Sequence, residues 1–136
     1  MYDLERIGKI IVDTKKYLKE LESYKLKLTD LQNSKNYNAA SMLVFAILNR
    51  IIDLGNEIIS AENLGAPNIY KDIMNILAKG NIINQEQADK MNKLIVKRNM
   101  FAHFYGEITK KELFDTIQNM ADVENFMRTI QKRIKL

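Results

Sequence analysis

The chain has 136 residues, 46% of them hydrophobic, with no cysteine and a formal net charge of +4. That is enough apolar material for a buried core in one domain spanning residues 1–136, and the missing thiols exclude a disulfide framework and a thiolate metal site. The excess of cations is compatible with RNA or another polyanion without requiring one.

The opening MYDLERIGKI lacks the basic region, long apolar stretch and cleavage site of a signal peptide. The longest apolar run, MLVFAIL from Met42 to Leu48, ends at Asn49-Arg50 and is too short to span a bilayer. A soluble cytoplasmic protein with no membrane partner is expected.

Leu4, Ile7, Ile11, Leu18, Leu21 and Leu28 repeat at three-four spacing and predict a first helix of roughly 25 residues with a charged outer face. TDLQNSKN (Thr29 to Asn36) breaks the pattern. A second helix is expected from about Tyr37 to Asn63, closed by Leu64-Gly65-Ala66-Pro67. Asn68 is positioned to cap a short third helix ending at Gly80. Asn84, with Gln87 three residues on and Glu86 between them, resembles a capping box for a fourth helix that ends near Gly106. Thr109 and Glu112 make a second such box, opening a last helix with Lys and Arg at its C-terminal end. The expected architecture is all-α, an up-and-down helical bundle of four long helices plus one short helix.

Five polar residues interrupt the apolar second helix: Asn49, Arg50, Asp53, Asn56 and Glu57. At about 100° per residue they share one sector about 120° wide. Two readings stand. The sector is a solvated face on which Arg50, Asp53 and Glu57 form ordinary helical ion pairs, or it is one wall of a polar site facing the fourth helix.

KRNMFAHFYG, residues 97–106, holds the only histidine. Arg98 falls within the stripe formed by Met91, Leu94, Ile95, Ala102 and Tyr105, and a charge facing a core must find partners. On a straight helix His103 lies about 140° from Arg98. The two therefore meet only if the helix distorts or a second chain completes the site. The bland alternatives are a packed or dipole-stabilised histidine and a core tyrosine with its hydroxyl at the bundle edge. One histidine cannot supply the two Glu-x-x-His pairs of a di-metal carboxylate bundle, nor the several histidines of metal-dependent phosphohydrolases. A Ser-His-Asp triad finds no nucleophile elbow or strand scaffold to hold it.

The run Arg98-Asn99-Met100-Phe101-Ala102-His103-Phe104-Tyr105 resembles the Arg-x4-His-x-Tyr signature of HepT-like toxins, members of the HEPN superfamily of helical ribonucleases. The likeness extends upstream through IYKDIMNILAKGNII and more loosely over the whole chain. Ala102 stands where the family usually carries a branched aliphatic residue. The resemblance implies a homodimer whose motif helices meet at the two-fold axis and build a composite cleft. It implies RNA cleavage without a metal or other cofactor, Arg98 and His103 being catalytic and Asn99 supporting. Arg50, Asp53 and Glu57 are candidates for a surrounding shell. It further implies a minimal nucleotidyltransferase as antitoxin partner, which attaches AMP to Tyr105. The alternative is a non-catalytic HEPN module that binds nucleotide or supports a nucleotidyltransferase, since a fold does not establish an activity. A purely structural helical dimer is the third reading.

Overall fold

A computed structural model describes residues 1–102 and 108–136. Helix α1 (Leu4–Ser23) starts where the Asp3 carboxylate accepts from the Arg6 N–H, satisfying one of the free donors of the first turn. It stops five residues before the expected end, because Lys25 adopts a left-handed backbone conformation at φ 48°. Leu28 keeps the apolar spacing but belongs to a 3-10 turn (Leu28–Gln32), which buries Leu31 beneath the connection.

Helix α2 (Ser34–Ala61) is the central element and begins three residues earlier than its apolar pattern indicates. The Asn33 side chain caps it by accepting from Lys35 and Asn36 N–H groups. Contacts from Tyr2 to Glu62, Arg6 to Glu57 and Asp13 to Arg50 rise along α1 as they fall along α2, so the two helices run antiparallel. Ile47, Ile51, Leu54 and Ile58 of α2 are fully buried in the core.

Helix α3 (Tyr70–Lys79) packs on α2 at Gly55, where a Cβ would come within 2.5 Å of Ile73 Cγ2. A glycine is needed there for the two helices to approach. Asn68 does not cap α3 with its side chain. Instead the Asp72 carboxylate accepts from the Asn68 and Ile69 N–H groups. At the other end Gly80 has an ordinary backbone, and Asn81 supplies the left-handed residue at φ 61°. Gly80 leaves room for Leu64, whose methyls lie 3.0 Å from the position of an added Cβ.

The expected fourth helix is divided. Helix α4 (Gln85–Ile95) opens on the Asn84 cap, whose Oδ1 accepts from Gln87 N–H at 2.8 Å. It ends before Val96, and α5 (Arg98–Ala102) begins after a tightened turn in which Lys97 N–H donates to Leu94 carbonyl oxygen. The last helix is divided too, into α6 (Lys110–Gln118) and α7 (Met120–Ile134), joined at Asn119. Asn119 Nδ2 donates to Asp115 carbonyl oxygen, closing α6 with a side chain that competes with backbone pairing.

Helix α7 packs on α4 and reaches back to the start of the bundle, where Arg133 grips Glu62 with two donors at 2.6 and 2.7 Å. Among the described residues there are seven α-helices and no strand, an all-α bundle as the periodicity predicts. Among them no helix is long and apolar enough to cross a membrane.

Candidate functional site around Arg98

The break at Val96–Lys97 determines where Arg98 goes. Lys97 is held by its ammonium, which donates to Thr116 Oγ1 of α6 at 3.2 Å. The following turn packs on α2 and buries Phe101. Arg98 is left half-buried against α2, not enclosed in the core stripe as a continuous helix would place it.

Its partners fix the plane of the guanidinium. Nε donates to Asn49 Oδ1 at 2.9 Å, and Nη1 donates to Asn99 Oδ1 at 3.3 Å. The guanidinium carbon lies over two aromatic rings, 5.2 Å from the centre of Phe45 and 5.0 Å from that of Tyr70. Both distances are within the range for cation–π attraction, and a planar guanidinium also stacks on such rings. Among the described residues no carboxylate lies within ion-pair distance of Arg98. Among the described residues its charge is oriented by neutral groups alone, which suits a site for an anion.

Beside it opens a cleft of about 660 Å³ between the start of α3 and the α4–α5 junction. Tyr70, Lys71, Asn56 and Asn99 contribute to its walls, with Val96 at the break.

The polar stripe of α2 divides between the two expected roles. Arg50 pairs with Asp53 and approaches Asp13 of α1 at 3.9 Å, and Glu57 pairs with Arg6 of α1. Arg50 and Glu57 therefore tie α1 to α2, while Asp53 pairs with Arg50 within α2. Asn49 and Asn56 face the motif instead, one holding Arg98 and the other lining the cleft. Asn49 was visible as part of the stripe, but nothing in its spacing marked it as the arginine's acceptor. Phe45 and Tyr70 carried no signal of their own; Phe45 sits one turn before Asn49, and Tyr70 opens the helix after the single proline. His103 and Tyr105 lie outside the described residues.

A half-buried arginine held on a central helix beside an open cleft defines a class, an all-helical bundle with an anion-binding candidate site. The comparisons with known proteins narrow it. The family described as Ribonuclease HepT-like matches residues 14–130, and the chain belongs to that family. It is 31% identical over 81 residues to the mRNA nuclease HepT of Shewanella oneidensis. That match covers 59% of this chain and 61% of the relative, so the chain spans less than two thirds of the length of this curated relative.

Two solved structures share the fold. The cytosolic protein YutE of Bacillus subtilis superposes with a TM-score of 0.87 at 23% identity, covering 99% of this chain and 94% of that one. The tri-AMPylated Shewanella oneidensis HEPN toxin, solved in complex with an MNT antitoxin, gives 0.86 at 24% identity, covering 97% and 99%.

Proposed function

We propose that this protein, acting as one domain over residues 1–136, is a metal-independent endoribonuclease. We propose further that it is the toxin of a pair whose antitoxin is a minimal nucleotidyltransferase. Membership of the HepT-like ribonuclease family supports the reaction class, and a related toxin solved with an MNT antitoxin supports the partner.

The observation that carries the reading is the setting of Arg98. A guanidinium has five N–H donors. Among the described residues Asn49 engages the one on Nε and Asn99 one on Nη1, and none holds the remaining donors of the fork, which can meet phosphate oxygens. In the proposed reaction the ribose 2′-oxygen attacks the neighbouring phosphorus and the bond from phosphorus to the 5′-oxygen breaks. Negative charge grows on the non-bridging oxygens, where an oriented guanidinium lowers the barrier most. His103 takes the 2′-hydroxyl proton or delivers one to the leaving 5′-oxygen, since an imidazole titrating near neutrality serves either role. Asn99 steadies Arg98, and the ion pairs of Arg50 and Glu57 with α1, with Asp53 pairing Arg50 from its own helix, keep α2 in place behind Asn49.

A homodimer with a composite cleft would bring a second copy of the motif to the same phosphate, so that Arg98 and His103 need not share one face of one helix. The antitoxin's transfer of AMP to the Tyr105 hydroxyl would set a phosphate close to Arg98 and exclude RNA from the cleft.

Cleavage of single-stranded RNA by purified wild type, Arg98→Ala and His103→Ala protein tests the reading, with circular dichroism and light scattering on each. The expected result is cutting by wild type alone, with helicity and dimer mass unchanged throughout. Full activity in either variant would overturn the assigned roles, and a monomeric wild type would overturn the composite site.

A further inference from the structure

We infer that the cleft beside Arg98 is a binding subsite for one unstacked nucleobase of the RNA strand, with Tyr70 as its stacking platform. The inference rests on the ribonuclease reading for its ligand class, and on a different set of residues for its argument.

The Arg98 guanidinium covers one face of the Tyr70 ring, 5.0 Å from its centre, yet Tyr70 as a residue remains 40% exposed and lines the cleft. An aromatic ring left open at a cleft mouth is a platform on which any base can stack. Ile69 and Val96 beside it are 60% and 44% exposed, and they extend the apolar floor.

The remaining walls have the chemistry of base edges and phosphate. Asn56, Asn68 and Asn99 bring side-chain amides from three different segments; Asn56 and Asn68 offer both donor and acceptor, and Asn99, whose oxygen accepts from Arg98, offers its NH2. Lys71 adds a cation, and the described lining contains no carboxylate. A protein partner docking through an apolar patch would not call for three amides and a cation around one aromatic ring. A single-stranded nucleotide does, because recognition of unpaired bases combines stacking with hydrogen bonds to their edges. At about 660 Å³ the cleft is spacious enough for one base and its sugar. Arg98 joins the two halves of the site: it braces a phosphate and backs the ring on which the adjoining base rests.

The test compares the affinity of the intact protein for three hexamers on a deoxyribose backbone, which carry no 2′-hydroxyl and are not cut by the proposed route. One bears adenines, one thymines, and one only abasic sugars. Wild type should bind the adenine hexamer about five- to a hundred-and-fiftyfold more tightly than the abasic one, the range for losing an aromatic–base stack. The thymine hexamer should fall between them. Tyr70→Phe should keep the difference. Tyr70→Ala should bind all three alike, at the abasic level, with helicity and oligomeric mass unchanged. The side-chain amide resonances of Asn56, Asn68 and Asn99 should shift when the adenine hexamer is added to wild type and not with the abasic one.

Equal affinity of wild type for all three hexamers would overturn the subsite. A Tyr70→Ala protein that changes oligomeric mass but keeps its preference for bases would also overturn it, assigning the patch to a protein interface. Failure of the ribonuclease reading shows differently, as absence of RNA cutting, which leaves the base dependence of affinity readable.

Discussion

Replacing Asn49 by alanine removes the acceptor that holds Arg98 Nε at 2.9 Å. A hydrogen bond to a charged group contributes about 1.5–3 kcal/mol net. Arg98 is only half-buried, so water replaces part of the loss, and alanine is the better helix former by about 0.5 kcal/mol. The expected cost to folding is therefore about 1 kcal/mol, a fall in Tm of about 3–5 °C for a chain of this size. The cost to function should be larger. Without Asn49 the guanidinium keeps its two aromatic neighbours and Asn99 but loses the bond that fixes its rotation. A tenfold loss in rate corresponds to about 1.4 kcal/mol of barrier, and loss of one oriented contact to a developing charge should lower kcat/KM for RNA by about ten- to a hundredfold. Asn49→Asp separates orientation from charge. It should fold at least as well as wild type through a direct ion pair, yet lose activity because the carboxylate offsets the charge that phosphate needs. The assay is steady-state cleavage of a fluorogenic RNA alongside thermal melting. Activity within twofold of wild type in both variants would refute the argument that Asn49 positions Arg98.

Glu62 has its carboxyl lowered to about 2, chiefly by the hydrogen bonds from Arg133, with burial opposing and the Tyr2 hydroxyl adding to the effect. A depressed folded-state value stabilises fully above the ordinary carboxylate range and is lost as pH falls from about 4.5 towards 2. The Tm gap between wild type and Glu62→Gln should therefore be widest above pH 5 and close in acid; a gap constant across that window would contradict the pairing. Gly55→Ala places a Cβ 2.5 Å from Ile73 Cγ2, an overpacking cost of about 1–3 kcal/mol against a helix-propensity gain of about 1. Its Tm should fall by a few degrees, and a rise would mean that α3 moves away freely. Co-expression with the cognate nucleotidyltransferase should add one or more AMP masses to Tyr105 and silence cutting, while Tyr105→Phe should acquire no adduct; mass spectrometry placing AMP elsewhere would refute the assignment.

What the sequence disclosed follows from which interactions are local. The Asn84 and Thr109 caps are short-range contacts between a side chain and a backbone three residues away, and both form; the reciprocal half of each capping box does not, because the Gln87 amide donates to Thr129 and the Glu112 carboxylate accepts from the Thr109 hydroxyl. Apolar periodicity gave the helices and their buried faces, because burial acts on every turn alike. It overran at Leu28, where a left-handed Lys25 has already turned the chain while the apolar spacing continues. The break at Val96–Lys97 has no glycine or proline to announce it. It depends on partners far away in sequence, Thr116 for Lys97 and Asn49 for Arg98, as does the stacking of Tyr70 on the guanidinium. The candidate site was legible as a cluster of residue types around Arg98. Its geometry belongs to tertiary contacts that no single segment encodes.

The chemistry of the RNA ends tests the central claim most directly. Attack by the 2′-oxygen leaves a 2′,3′-cyclic phosphate on one fragment and a 5′-hydroxyl on the other, and it leaves a strand with deoxyribose at the cut position whole. The account predicts those ends from wild-type protein in the presence of chelator, and none from Arg98→Ala or His103→Ala. Fragments ending in 3′-hydroxyl and 5′-phosphate, or cutting at a deoxyribose position, would contradict it.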